Sequence, residues 1–310
     1  MATVTSYDMV GIREDLENVI YDVSPTDTPF LTKCAKVKAT NTFHEWQTDK
    51  LEAATANNAH VEGADTTSDT YTATARRGNY TQILKKSPRI SGTDTGLDKA
   101  GRGKEMAREI LRRGQEMKRD LESSLLGYQA RDAGDSSTNP RIMAGVGSWL
   151  ATNTSGDGVF PTNPDGTTAF TPGTGVALTQ DDFDALLEEI WVQGGEPDRV
   201  YLSPALMTAA LAFEGNNNQR NMVSSGNDVV NKFIRYQTPW GTLTFVPNRY
   251  MPAGSIYALQ SDKWKVASLR GFKTEKLAKT GDSEQQQIVT EQTLVACNEA
   301  SSGHLATVTK

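Results

Sequence analysis

The 310-residue chain is poor in the residues that build chemical centres. It has 2 cysteines, Cys34 and Cys297, and 3 histidines, His44, His60 and His304. The cysteines fit no CxxC or zinc spacing, so both read as reduced thiols. The histidines fall in three separate polar contexts, too sparse for a metal cluster. No apolar run approaches the roughly 20 residues needed to cross a bilayer, so no membrane association is expected. The first twenty residues carry Asp8, Glu14, Asp15 and Glu17 without an apolar stretch, so no secretory signal is expected either. Hydrophobic residues make up only 37%, which implies a large polar and extended surface for a chain of this length.

Catalytic motifs are missing as well. His44-Glu45-Trp46-Gln47-Thr48 opens like a zinc-protease helix but has no second histidine. Gly96–Gly101 has the spacing of a phosphate loop, yet Arg102 and Gly103 stand where Lys and Ser or Thr are required. Gly173-Thr174-Gly175 lacks the third glycine of a dinucleotide fingerprint, and there is no GxSxG elbow. The acidic run Asp181, Asp182, Asp184, Glu188, Glu189 reads as a helix start and a solvated face. The expectation is no enzyme, no cofactor, no metal and no catalytic residue.

What is present is a long amphipathic helix over about 104–130. Met106, Ile110, Met117, Leu121, Leu125 and Tyr128 recur at helical spacing, and most charges fall elsewhere. Glu109–Arg113 and Lys118–Glu122 stand four apart and are expected to pair. At about 1.5 Å per residue the helix would be roughly 40 Å long. The strands best suited to cover its stripe are WKVASLRGF and IVTEQTLVAC near the C-terminus, giving an α+β layer.

Before the helix, residues 1–36 read as an arm, interrupted by Pro25 and Pro29, that lies along another surface. Residues 37–90 are polar and strand-like, with a flexible tip, and suggest a hairpin roughly 50–65 Å long. Such a hairpin has too little apolar surface to stand alone and implies a partner. After the helix, 152–175 reads as loop. Leu178–Val192 is a second helix capped by Thr179, Arg199–Ser203 a buried strand, and Pro204 opens a third helix, together an α/β lobe.

Charge alternates along the chain. The net is −7 over residues 1–75, +7 over 76–131, −10 over 132–230 and +4 over 231–310. The basic 76–131 segment is consistent with nucleic-acid binding, and the alternation with acidic parts of one copy meeting basic parts of the next. Acids are interleaved among Arg102, Lys104, Arg108, Arg112, Arg113, Lys118 and Arg119, and no aromatic precedes Tyr128 there. That favours a subunit-facing side over a single-strand groove.

Stretches running in order through almost the whole chain carry a resemblance. They are REDLENVIYDVSPTDTPFL (13–31), HEWQTDKLEAA (44–54), VEGAD (61–65), NYTQILKKSPRISGT (79–93), KRDLESSLLG (118–127), PRIMAGVGSWLATN (140–153), GTLTFVPNRYMP (241–252) and LRGFKTEKLAKTGDSEQQQIVTEQTL (269–294). Together they resemble the major capsid proteins of tailed bacteriophages, with the HK-97-like fold.

The resemblance implies an N-arm over 1–36 and an E-loop over 37–90. It implies a P-domain over 91–154 and 256–310 carrying the spine helix, and an A-domain over 155–255. It implies self-assembly as pentamers and hexamers into an icosahedral virion shell around double-stranded DNA. Assembly would take place in the host bacterial cytoplasm with portal and scaffolding partners and, in some members, a cement protein. No helical segment precedes the arm, so a separate scaffold or unaided assembly is expected. Some members crosslink an E-loop lysine to a neighbour; Lys50, Lys85 and Lys86 are present here without a partner motif. Trp46, Tyr71, Tyr80, Arg108, Glu109, Arg112, Arg113, Glu116 and Arg119 are the expected interface residues. An encapsulin-like nanocompartment shell is the alternative on the same fold, and a nucleic-acid-binding protein using 76–131 is the alternative of another class.

Overall fold

The computed structural model describes residues 25–63, 65, 68, 73–97, 104–135, 137–210, 213 and 235–309. The short amphipathic pattern at Ile12–Val23, the polar loop at 215–228 and Tyr71 lie outside them. In chain order the first part holds α1 (Pro29–Lys33), β1 (Ala35–Lys38), β2 (Phe43–Thr48), β3 (Ala75–Tyr80), β4 (Gln82–Lys86) and β5 (Arg89–Ser91). Then come α2 (Gly92–Gly96), α3 (Glu105–Leu126), α4 (Val146–Trp149), β6 (Thr154–Gly156), β7 (Gly158–Val159), β8 (Thr171–Pro172) and β9 (Val176–Ala177). The rest is α5 (Gln180–Val192), β10 (Arg199–Leu202), α6 (Pro204–Ala210), β11 (Arg235–Thr238), β12 (Gly241–Pro247) and β13 (Ile256–Leu259), then β14 (Trp264–Lys276), β15 (Ser283–Ala296), β16 (Gly303–Ala306) and β17 (Val308–Thr309).

Two sheets organise the molecule. The first runs β1-β14-β15-β4, with β5 extending the β4 side of β15. It is antiparallel except at β1, which lies parallel to β14. Helix α3 rests on β4, β15 and β5. Met117, Leu121 and Leu125 are buried, as their spacing requires, and Leu121 and Leu125 share a core with Trp149, Trp264, Val266 and Leu294. The helix has 22 residues, about 33 Å. Cover is uneven, because Met106 and Ile110 are half-buried and Leu111 is 72% exposed.

The second sheet has six strands in the order β11-β12-β10-β13-β16-β6, with α5 against it. Thr179 caps α5 by accepting from the Asp182 N–H, and Asp181 and Asp182 sit in its first turn, where the helix dipole favours acids. Phe183, Leu186, Leu187 and Ile190 meet Val200, Leu202 and Phe245 in a separate core. Just past the helix, Gly194 holds φ +84°, a conformation glycine adopts without steric cost. Hydrogen bonding carries this sheet beyond residue 255, through β13 and β16. It also takes in β6, from a stretch whose Thr, Gly and Pro content reads as loop. Pairing with β16 makes Thr154–Gly156 a strand despite that composition.

The base of the arm folds onto its own chain, contrary to the sequence reading. Pro29 sits at the start of α1, where its fixed φ suits a first helical turn, and Phe30 and Leu31 are buried. The reason is Glu122. This residue does not pair with Lys118; it is 0% exposed. Its carboxylate accepts from Phe30 N (2.9 Å), Leu31 N (2.7 Å) and Asn248 Nδ2 (2.7 Å). Burial pushes this carboxyl above the usual range, against the pull of those three donors.

The histidines also differ from expectation. His44 lies on strand β2, so the zinc-protease resemblance has no helix to stand on. His304, read as polar in context, is fully buried among Tyr257 (ring centroids 4.7 Å), Phe170 (4.9 Å) and Phe160 (5.4 Å). Its Nε2 lies 2.8 Å from Ser255 Oγ, and burial lowers its pKa to about 3. Cys34 and Cys297 are free thiols. Among the described residues no helix is long and apolar enough to cross a membrane, and no group of His, Cys, Asp and Glu could hold a metal ion.

Two predictions follow from these buried groups. Glu122→Ala leaves three donors without a partner and should lower subunit stability by about 3 kcal/mol. It should also open the segment before β1 to limited proteolysis, whereas Glu122→Gln, which keeps one acceptor, should do less of both. His304 takes up a proton more readily when unfolded, so its neutral ring contributes stability above the ordinary value of 6.5 that is lost as pH falls towards about 3. The slope is roughly 1.4 kcal/mol per pH unit. Urea midpoints measured across that window should show a shallower decline for His304→Gln than for the unsubstituted protein; equal slopes would refute the assignment.

Candidate assembly surfaces

The β2–β3 hairpin is built in two contrasting parts. Near its root, every feature locks it to the body. Asn79 is fully buried; its Nδ2 donates to Leu294 O (2.9 Å) and Ala144 O (3.2 Å), and its Oδ1 accepts from Ala144 N (2.9 Å). Arg131 donates to Gly78 O. A side chain on Gly78 would meet the Phe43 ring at 2.7 Å, so glycine is required for that ring to lie across the strand. Thr81 donates its amide to Thr42 O (2.8 Å), closing the neck.

Past Thr48 and Ala75 the ladder stops. The paired part is six residues per strand, about 20 Å, well short of the 50–65 Å expected from composition. The polar, Ala- and Asn-rich sequence beyond has little apolar surface with which to hold a second strand. Leu51–Gly63 is exposed throughout, with Leu51 at 92% and Val61 at 81%. Just past the last rung, Lys50 Nζ donates to Gln193 Oε1 (3.3 Å).

Trp46, expected at an interface, is half-buried inside its own chain, with its ring 5.3 Å from that of Trp149. Tyr80 is half-buried and sits 4.6 Å from Phe43. The structure thus brings these two to the hairpin root rather than to its tip.

The spine-helix charges form a network within the chain. Arg113 bonds Glu116 (2.8 Å) and approaches Glu109 (3.6 Å), and Arg112 lies 3.6 Å from Glu116. Arg108 meets Glu105 (3.3 Å) and Glu109 (3.7 Å). Lys86 of β4 reaches Glu116 (3.2 Å) and Asp120 (2.9 Å), which ties strand to helix. Burial raises the Glu116 pKa, but bonds from Arg113 and Lys86 outweigh it and leave the carboxyl below the usual range. Arg119 stands apart, 5.7 Å over the Tyr250 ring, and Tyr250 donates to Pro25 O (3.2 Å).

Two positioning groups escaped the sequence reading. Glu122 was hidden by its spacing from Lys118, although its place between Leu121 and Leu125–Leu126 puts it on the apolar side. Glu291 lies in a β-rich run with nothing to mark it. It is 3% exposed and gathers Arg141 (2.6 Å), Arg270 (2.9 Å) and Thr81 (2.7 Å), joining three segments at the sheet.

Comparison with known proteins agrees with this architecture. A family model described as SU10 major capsid protein matches residues 3–309. The chain is 29% identical over 338 residues to a major capsid protein of Escherichia phage Phieco32, covering 97% of this chain and 96% of that one. A solved structure from Microbacterium phage Oxtober96 aligns with a TM-score of 0.66 at 12% identity, over 99% of each chain. The holo-SrpI encapsulin complex of Synechococcus elongatus PCC 7942 aligns with a TM-score of 0.57 at 12% identity, over 96% of this chain and 92% of that chain. The structural likenesses establish a shared α+β, HK-97-like fold. The family model spans both sheets and α3, and by that match the chain belongs to the SU10 major capsid protein family.

Proposed function

We propose that this protein builds the head of a tailed phage as pentamers and hexamers enclosing double-stranded DNA. In this reading 1–36 is the N-arm, 37–90 the E-loop, 91–154 and 256–310 the P-domain around α3, and 155–255 the A-domain. The observation that carries it is the hairpin: a root fixed by buried hydrogen bonds and a limb, Leu51–Gly63, that is exposed throughout among the described residues. A rigid root with an unsupported limb suits a subunit whose missing surface belongs to a neighbour. Membership of a capsid protein family supports the same conclusion.

Interface roles for Trp46, Tyr71, Tyr80, Arg108, Glu109, Arg112, Arg113, Glu116 and Arg119 remain part of this proposal. For Arg108, Glu109, Arg112, Arg113 and Glu116, which are already paired, the role is exchange of partners rather than capture of a bare ion. The same pairing weighs against a nucleic-acid groove along 76–131. Portal, scaffolding and cement proteins are the further partners, and the cytoplasm of a bacterial host is the place of assembly. The encapsulin likeness keeps a nanocompartment shell as the second reading.

Electron microscopy and light scattering of the purified protein test this. Closed shells of uniform diameter are expected, and a dispersed monomer at all salt and protein concentrations would overturn the reading. Small cages loaded with cargo enzyme would select the nanocompartment instead.

A further inference from the structure

A groove opens beside the C-terminal end of α3, between β4 at the margin of the first sheet and the loops at 140–142 and 249–252. Its volume is about 810 Å³. Ile83, Tyr128, Tyr250 and Met251 supply apolar surface, and Ser124 and Gln129 share the wall with them. No Asp or Glu lines it among the described residues, whereas Arg141 and Arg249 both do. The two arginines differ. Arg141 is bound to Glu291 (2.6 Å). Arg249 is exposed and, among the described residues, has no ion pair or hydrogen-bond partner. Arg119, 5.7 Å over the Tyr250 ring, likewise pairs with no acid there.

A helix end attracts cations for its own sake, because its last carbonyls carry partial negative charge. Here those carbonyls are already taken. Leu126 O accepts from the Tyr257 hydroxyl (3.1 Å), Gly127 O from Gly147 N (3.1 Å) and Ser124 O from Gln129 Nε2. Arg249 is not needed as a cap, so its charge is left for something from outside.

Composition restricts what that is. Tyr, Met and Arg are the residues that protein interfaces favour. A DNA duplex would call for a row of unpaired cations, and among the described residues Arg249 alone supplies one on this wall. A permanent subunit seam would be more apolar than a wall shared with serine, glutamine and arginine. The occupant that fits is a protein segment with acid and apolar side chains, bound reversibly.

We propose that this groove receives an acidic segment of a separate partner protein. A carboxylate of that segment is held by the Arg249 guanidinium, and an apolar side chain lies against Ile83 and Tyr250. The inference rests on the shell reading above, in which further proteins join the capsid subunit, and names the chemistry by which one attaches.

Fluorescence anisotropy tests it, with the full-length chain titrated into a short labelled peptide of Glu, Phe and Ser. Arg249→Glu should weaken binding about tenfold, and Ile83→Ser about fivefold. A twin peptide with Lys in place of Glu should bind Arg249→Glu about tenfold better than the unsubstituted chain. Equal affinity of the acidic peptide for the unsubstituted chain and Arg249→Glu would overturn the proposal. Duplex DNA that binds through Arg249 when the acidic peptide does not would also overturn it. Without any partner protein, Arg249→Glu should form shells in the same yield as the unsubstituted chain; their loss in the variant alone would give the groove to a second copy. A disulfide between Leu16→Cys and Ile83→Cys, within one chain or between two, would give it to the arm and equally sink the idea. If the unsubstituted chain forms no shells while the peptides still discriminate at Arg249, the groove stands and the shell reading falls.

Discussion

The Glu122 carboxylate is the constraint on which the arrangement of this subunit depends. It sits on the buried side of α3 and accepts two amides from the first turn of α1 and the side-chain amide of Asn248. The acceptor and its donors belong to three otherwise separate parts: the long helix, the arm base and the loop after β12. A buried carboxylate without such donors would cost several kcal/mol. With them, the position of each part is fixed relative to the others. Placing α1 there lets β1 join the sheet parallel to β14, and so determines where the hairpin leaves the body.

Glu291 repeats the principle at the hairpin side. One nearly dry carboxylate holds two arginines and a threonine from three segments. Buried acids thus join the parts of this capsid shell protein together with one apolar core, which reaches from Phe30 and Leu31 through Leu121 to Tyr257 and Trp264. A separate core lies under α5, with a small third cluster beside β1.

Local patterns were legible in the sequence where one element's own periodicity decides the outcome. Helix α5 could be read from Thr179 through Ile190, with its cap and acidic first turn, and the stripe of α3 from Met117 to Leu125 was equally clear. The readings went astray where a distant partner decides. Glu122 looked like half of a surface ion pair, since spacing cannot reveal that Phe30 and Leu31 come to meet it. Thr154–Gly156 has a loop's composition and is a strand only because β16 lies beside it. His304 follows a polar turn, while Phe160, Phe170 and Tyr257 enclose it from other parts of the chain. The hairpin's paired length was overstated because β-branched and aromatic residues continue beyond the last rung.

The neck at Thr42 and Thr81 places the hairpin between β1 and β4, the strands at opposite margins of the first sheet. The hairpin is therefore a strap fastened at both ends to one slab. A pull on its tip divides between the two margins and passes inward through β14 and β15. Part of that load runs along the strands, where several backbone hydrogen bonds must slide together instead of opening in turn. Stress carried in from an adjoining subunit would thus be shared across the slab's full width, as in a tile held by a loop threaded through both sides.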